Sequence, residues 1–254
     1  MALSELLCTD LESVGAALAL GADRIELCAA LEVGGVTPGP GLLRATLAAR
    51  DAASEAGGIR TEVVVLVRPR RGDFVYGAGD RRAALADVEA ARTAGSDGVA
   101  LGLLLEDGGL DLPGTGELVR AAGSMGVTFH RAFDHVPSPD DTLEALVDLG
   151  IHRVLTSGGA PSAWEGREAL AQLAGRAGAR IEVVAAGGVR GGNARELLAA
   201  TGVPAIHGSC SHEVGATGAR VALGRPGAPA EGSRTTLDPE DARRFVEAAR
   251  AHVS

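Results

Sequence analysis

The chain has 254 residues, of which 46% are hydrophobic and 2% aromatic, so its core has to be built from Ala, Val, Leu and Ile. The formal net charge of −9 argues against a broad nucleic-acid-binding surface, which requires clustered positive charge. Neither an apolar run of roughly 18 residues nor a signal peptide is present, which predicts a cytoplasmic protein without a membrane span.

Eight short β-like segments alternate with Ala- and Leu-rich helical segments. Helices end at a glycine that is followed by a polar turn into the next strand, as at Gly21, Gly95, Gly150 and Gly202. This repeated unit predicts an α/β protein with one domain over residues 1–254, a (β/α)8 TIM barrel. A doubly wound open sheet is the alternative, although it usually has fewer strands. The predicted strands are residues 5–8, 24–28, 62–68, 98–103, 127–133, 153–157, 181–186 and 205–209.

Polar residues ahead of the helical segments predict N-caps, because their side chains can accept from unpaired backbone N–H groups. These residues are Asp10, Asp80, Ser138, Asn193 and Asp238. The segment 211–237 departs from the pattern, since it is rich in Gly, Ala and Pro. It is predicted as a long loop after the eighth strand, serving as a lid or an oligomer contact, or disordered.

Polar side chains collect at the ends of the predicted strands, where the active sites of such barrels lie. Strand alternation directs Glu26 toward the lumen, and His130 lies within the apolar-edged segment 128–134. Glu26 and His130 are therefore acid–base candidates, and Asp134 is expected to orient His130. Arg68 completes this predicted catalytic group by holding an anion. A buried structural ion pair between Glu26 and Arg68 is the alternative.

The glycine-rich exits of strands seven and eight predict an anion site, because exposed backbone N–H groups attract negative charge and barrels often bind phosphate there. Tight turns alone would also explain these glycines. All 24 basic residues are arginine, which excludes Schiff-base chemistry through lysine and suits carboxylate or phosphate recognition. The predicted substrate- or anion-binding residues are Arg70, Arg131, Ser157, Gly187, Gly188, His207 and Ser209.

The three cysteines, Cys8, Cys28 and Cys210, are an odd and low number that favours reduced thiols over disulfides. Cys8 and Cys28 end neighbouring predicted strands, which lie about 5 Å apart in a sheet. Two thiolates at that range suit a soft metal ion such as Cu(I), with Cys210 as a third candidate ligand. The alternative is that each cysteine is a small buried hydrophobic side chain.

Several blocks of the sequence resemble the CutC family, and the resemblance as a whole extends over nearly all of the first 210 residues. The blocks are GADRIELC at 21–28, GGVTP at 34–38, RPR at 68–70 with GDF at 72–74 and Tyr76, TFHRAFD at 128–134, LTSG at 155–158 and IHGS at 206–209. The resemblance implies a TIM barrel, a cytoplasmic location, assembly into a homo-oligomer (dimer or tetramer) and a role in copper homeostasis. Cys210 and Ser211 stand where family members often carry a basic residue.

Two functions remain open on the sequence. The first is a copper-binding protein of copper homeostasis, with Cys8 and Cys28 as Cu(I) ligands. The second is an enzyme, either an isomerase, a lyase or a hydrolase, that acts on a small anionic or phosphorylated substrate at the strand ends. The enzyme requires Glu26 and His130 to face one cavity, within reach of a common substrate atom.

Overall fold

The computed structural model of the chain describes residues 1–215 and 234–252. Eight parallel strands, paired in chain order, close into a barrel because β1 also pairs with β8, so the open-sheet alternative is excluded and the predicted (β/α)8 barrel is confirmed. Every predicted strand exists. The strands are β1 Leu3–Cys8, β2 Arg24–Leu27, β3 Glu62–Leu66, β4 Gly98–Leu101, β5 Gly126–Phe129, β6 Arg153–Thr156, β7 Glu182–Ala185 and β8 Ala205–Gly208.

A helix follows each barrel strand. Asp10 and Asp238 are confirmed as N-caps, since both side chains accept from backbone N–H groups of the first turn. Asp80 is not an N-cap, because its helix already begins at Ala78. Ser138 and Asn193 precede their helices without a side-chain capping bond. The helices are α1 Leu11–Leu20, α2 Pro40–Glu55, α3 Ala78–Ala94, α4 Leu112–Ala122, α5 Pro139–Asp148, α6 Arg167–Ala177, α7 Ala194–Thr201 and α8 Pro239–Ala251.

The fifth strand is shorter than predicted. β5 ends at Phe129, and a 3-10 helix, Arg131–His135, follows it. His130 is the N-cap of this short helix, since its Nδ1 accepts from the backbone N–H of Ala132 at 3.2 Å. The local hydrogen bond turns the chain at the strand end, so His130 stands at the mouth of the barrel instead of within the sheet.

The segment predicted as a long loop contains two further strands. Ser211–Val214 (β9) and Arg234–Leu237 (β10) pair as an antiparallel ribbon, so the prediction of a loop is wrong for these residues. The remainder of the predicted loop, 216–233, lies outside the described residues. Among the residues that are described, no helix is long and apolar enough to cross a membrane.

The lumen is filled by layers of different chemistry. Toward the N-terminal ends of the strands, Arg24 contacts Glu62 and Glu182, and Arg153 contacts the same two carboxylates. Some of these contacts cross the lumen, because β2 and β7 are not neighbours. Small apolar side chains, among them Val64, Ala100, Val184 and Ala205, lie in lumen clusters above the charges. The polar cavity therefore opens only at the C-terminal end.

Candidate active site

A cavity of about 430 Å3 lies at the C-terminal ends of the strands. It draws one or more residues from most of the barrel strands and from the loops that follow them. Eight of the predicted site residues line it, and five, including both predicted metal ligands, do not. The lining residues are Leu7, Glu26, Leu31, Gly34, Leu66, Arg68, Phe74, His130, Arg131, His135, Leu155, Gly187, Gly188, Val189, Arg190, His207, Gly208 and Ser209.

Two titratable side chains, Glu26 and His207, lie next to each other in the cavity, and Glu5 lies behind them. His207 Nδ1 lies 2.7 Å from Glu5 Oε1, and its Nε2 lies 4.0 Å from Glu26 Oε2. Glu5 Oε2 in turn accepts from Arg24 at 3.1 Å. The second oxygen of Glu26, Oε1, is buried and has no hydrogen-bond partner among the described residues. The Glu26 carboxyl group thus keeps one oxygen without a partner, and it lies beside the His207 imidazole, whose orientation Glu5 fixes.

Burial and charge separate the pKa values of these three groups. Burial, assisted by the charge of Glu5, raises the pKa of Glu26 to about 7, against the opposing attraction of His207. Burial would also raise the pKa of Glu5, but the hydrogen bond of His207 and the charge of Arg24 lower it to about 2. Burial disfavours the cation of His207, yet the Glu5 hydrogen bond and the two carboxylates give a net rise in its pKa. Glu26 can therefore exchange a proton near neutral pH, whereas Glu5 stays ionised.

His130 has different properties from those expected of a general base. Burial, with the nearby charge of Arg68, lowers its pKa to about 3, so the ring is neutral at physiological pH. Because Nδ1 accepts from Ala132, the ring proton resides on Nε2, which is buried and unpartnered among the described residues. Space for the ring comes from Gly102, where a Cβ would lie 2.5 Å from ring atoms. His130 is arranged as a neutral hydrogen-bond donor.

Asp134 does not contact His130. Its Oδ2 accepts from Arg131 Nε at 2.7 Å, and its Oδ1 accepts from the Thr156 hydroxyl at 2.5 Å and the Ser157 backbone N–H at 2.9 Å. Ser157 Oγ also accepts from Arg131 Nη2 at 3.0 Å. Asp134 and Ser157 thus orient Arg131 at the rim, and the predicted role of Asp134 toward His130 is corrected. The reason is that the 3-10 helix turns Asp134 toward β6.

The glycine pair after β7 lines the cavity beside Arg131. Gly187 and Gly188 both have positive φ angles, 97° and 72°, which favour glycine. A Cβ on Gly187 would also lie 3.2 Å from Arg131 Nη1, so the close approach requires glycine. Ser209 contributes from the exit of β8. Arg70 lies outside the lining, because Asp73 and Asp80 bind its guanidinium group at 2.9 Å each.

The predicted ion pair of Glu26 and Arg68 is absent from the described part of the chain. Arg68 instead donates to the backbone carbonyls of Val33, Gly35 and Gly72. The alternative interpretation of this pair as a structural salt bridge is therefore wrong. Burial raises the pKa of the Tyr76 hydroxyl, and the nearby Arg68 guanidinium group opposes that rise.

Cys8 and Cys28 lie on opposite faces of the sheet. Cys8 belongs to the core between strands and helices, whereas Cys28 packs in the lumen with Val64 and Leu66. Burial raises the pKa of the Cys8 thiol to about 12 and that of Cys28 further, so both remain protonated. No group of three or more His, Cys, Asp or Glu side chains suited to a metal occurs among the described residues. The residues present therefore do not fit the predicted two-thiolate Cu(I) site.

The sequence interpretation missed Glu5, Phe74 and Arg190. Glu5 shares the inward face of β1 with Leu7, so the alternation that indicated Glu26 could also have found it. Phe74 and Arg190 lie in loops, where no periodicity signals orientation.

A family model described as the CutC family matches residues 2–212. The chain belongs to the CutC family. A CutC family protein of Caulobacter vibrioides is 44% identical over 214 residues, which cover 84% of this chain and 83% of the relative. One from Sinorhizobium medicae is 43% identical, over 82% of this chain and 81% of the relative. The relatives therefore share most of their length with this protein.

Solved structures agree on the fold. The CutC protein of Streptococcus agalactiae, whose name connects it with copper homeostasis, is 31% identical with a TM-score of 0.76 over 82% of this chain and 99% of that one. Thiamine phosphate pyrophosphorylase of Pyrococcus furiosus is 18% identical with a TM-score of 0.58, over 98% of this chain and 95% of that one. At that identity the likeness concerns the barrel fold alone.

Proposed function

We propose that this CutC family member is an enzyme that moves a proton on a small anionic substrate bound in the cavity. The observation that carries the proposal is the buried carboxyl group of Glu26, which lines the cavity, lies beside His207 and has one oxygen without a hydrogen-bond partner among the described residues. A pKa near 7 matches the requirement of a general acid–base group at physiological pH. The sequence interpretation gave the acid–base role to His130 and an anion-binding role to His207, whereas in this proposal His207 is the histidine that works beside Glu26.

In this mechanism Glu26 takes a proton from the substrate and His207 stabilises the negative charge that develops. Glu5 keeps His207 in one orientation and favours its protonated form, because a fixed anion 2.7 Å from Nδ1 stabilises the imidazolium. Arg131, held by Asp134 and Ser157, offers positive charge at the rim. Isomerisation and elimination both use such a proton transfer, and the absence of lysine excludes a Schiff base.

The experiment measures proton exchange directly. The protein is incubated in D2O with a panel of sugar phosphates and hydroxy acids, and mass spectrometry records deuterium incorporation into each compound. The wild type is expected to label at least one compound, and Glu26→Gln is expected to lower the rate by about 10²–10⁴-fold. Equal rates in wild type and Glu26→Gln would contradict the proposal. Arg60→Gln, at an exposed pair with Asp97, is the control.

Copper binding is the second candidate function, supported by the name of the Streptococcus agalactiae relative. Because the thiols of Cys8 and Cys28 face opposite sides of the sheet, we expect the Cys8→Ser/Cys28→Ser variant to compete with a chelator for Cu(I) as the wild type does. A large loss of Cu(I) affinity in that variant would instead support a site that uses these two thiols.

We also propose a cytoplasmic location and a dimeric or tetrameric state. Light scattering of the purified chain measures the oligomeric state.

A further inference from the structure

Arg68 differs from the other arginines that line the cavity. Arg131 and Arg190 each have a carboxylate partner, Asp134 and Asp241 respectively. Arg68 is only 7% exposed and has no carboxylate within 4.0 Å among the described residues. A buried charge without an opposite charge is costly, so such a group is expected to have a partner from outside the chain.

The hydrogen bonds of Arg68 to backbone carbonyls leave two of its N–H groups unused. Nη1 donates to the carbonyls of Val33 and Gly35 at 3.1 and 2.8 Å, and Nη2 donates to that of Gly72 at 2.8 Å. Three of the five N–H groups are thereby used. Nε has no partner among the described residues. Nε–H and one N–H of Nη2 therefore remain, and an arginine with two donors left can bind an oxyanion through two hydrogen bonds.

His130 provides a second unpaired donor on the same wall of the cavity. The Phe74 ring lies 4.9 Å from the His130 ring and 5.2 Å from Arg68 Cζ, so both groups pack against the same aromatic side chain. The proton on His130 Nε2 has no acceptor among the described residues. The Arg68 cation and the neutral His130 donor are thus both buried, both line the cavity and both have an N–H group without an acceptor among the described residues.

We propose that Arg68 and His130 form an oxyanion subsite that binds the carboxylate or phosphate group of the substrate. The inference rests on the proposed function, because it places this group in the same cavity as Glu26 and His207. It also assigns the substrate class: a small molecule with one oxyanion group, held on the Phe74 wall while the acid–base pair acts on the remainder. The Arg131 rim then contacts the exposed end of the molecule.

The test is a titration with inorganic phosphate and, separately, acetate, followed by NMR of the ¹⁵N-labelled arginine side chains. A saturable shift of the Arg68 Nε–H signal is expected with at least one anion, and the comparison of the two distinguishes phosphate from carboxylate. Arg68→Lys is expected to weaken binding by about tenfold or more, because lysine cannot form two parallel bonds. His130→Phe, which keeps a ring without the donor, is expected to weaken binding by a smaller factor.

Arg70→Lys is the matched control, since Asp73 and Asp80 already occupy that guanidinium group outside the cavity. If neither anion shifts the wild-type Arg68 signal, the subsite is refuted, and the Nε–H is then satisfied by water or by the neighbouring Tyr76 hydroxyl. The wild-type titration decides this even if a variant does not fold. Anion binding without Glu26-dependent exchange would refute the enzyme but keep the subsite, and exchange without anion binding would do the reverse.

Discussion

At the residue scale, the site depends on the effect of burial on the pKa values of an acidic side chain, Glu26, and a basic one, His130. Burial raises the pKa of Glu26 and lowers that of His130, because it disfavours the charged form of each. Both groups are therefore neutral more often than free side chains would be. His207 escapes this tendency only because Glu5 is ionised next to it. The strand that supplies Glu5 thus shifts the pKa of His207 in the opposite direction to that of His130.

The buried Glu26 carboxyl group is expected to make stability depend on pH. Its pKa rises from 4.5 to about 7 on folding, so the folded state binds more protons than the unfolded state between these values. The free energy of unfolding should then decrease as pH rises from about 4.5 to 7. The free energy of unfolding of Glu26→Gln, measured against that of the wild type, should rise by on the order of 2 kcal/mol from pH 4.5 to pH 7. Urea unfolding at pH 4.5, 5.5 and 7 measures it, and a pH-independent difference would contradict the assignment.

Gly102 is predicted to be required for the position of His130. A Cβ there would lie 2.5 Å from two atoms of the imidazole ring and 2.9 Å from Ala132 Cβ. Gly102→Ala should destabilise the fold by about 1–3 kcal/mol and shift the His130 ring signals in NMR spectra. Gly79→Ala, where a Cβ meets nothing within 4 Å, is the control. It should not lower the stability, because alanine is favoured over glycine in a helix, and it should leave the His130 signals unshifted. An unshifted His130 signal in Gly102→Ala would count against this packing.

At the element scale, the β/α units are defined by the chemistry of their ends. Helices α1, α3 and α7 end at glycines with left-handed backbone conformations, and the following turns lead directly into strands. The C-terminal ends of the strands also have local causes. β5 stops at Phe129 because the next residue, His130, caps a 3-10 helix with its side chain. The loops at the C-terminal strand ends consequently begin with residues that line the cavity.

The Asp10 cap offers a test of one such end. Asp10 accepts from Ser13 N at 2.7 Å, and Ser13 Oγ accepts from the Asp10 backbone N–H at 3.2 Å. Asp10→Ala should reduce the free energy of unfolding by about 1 kcal/mol, because buried donors of the first turn lose their acceptor. Ser138→Ala at α5, which has no side-chain capping bond, should cost clearly less. Urea denaturation compares the two, and similar losses would argue against the capping explanation.

At the scale of the whole molecule, closure of the barrel creates both the charged layer and the site. Pairing of β1 with β8 brings Glu5 opposite His207, although 202 positions separate them in the chain. The same Glu5 accepts from Arg24, so the acid–base centre is continuous with the ion pairs at the other end of the lumen. The barrel interior is therefore a connected electrostatic unit.

Arg24 is predicted to be the residue on which this unit depends. It is 3% exposed and contacts Glu5, Glu62 and Glu182. Arg24→Met should lower the free energy of unfolding by about 3 kcal/mol, because the buried Glu5 loses its neutralising partner. Arg60→Met, at an exposed ion pair, should change it little. Chemical denaturation measures both variants, and equal effects would contradict a special role of the buried network.

The sequence by itself determined the eight β/α units, the closed barrel and the inward face of Glu26, because these follow from local periodicity, glycine turns and strand alternation. It also directed Arg68 and His130 to the strand ends that line the cavity. It could not determine the partner of Asp134, which depends on where β5 stops. Strand alternation, applied to both strands, would already have placed Cys8 and Cys28 on opposite faces. Only the tertiary structure decided that the pKa of His207 is raised while that of His130 is lowered, because the rise depends on Glu5 reaching His207 across the closing seam of the barrel.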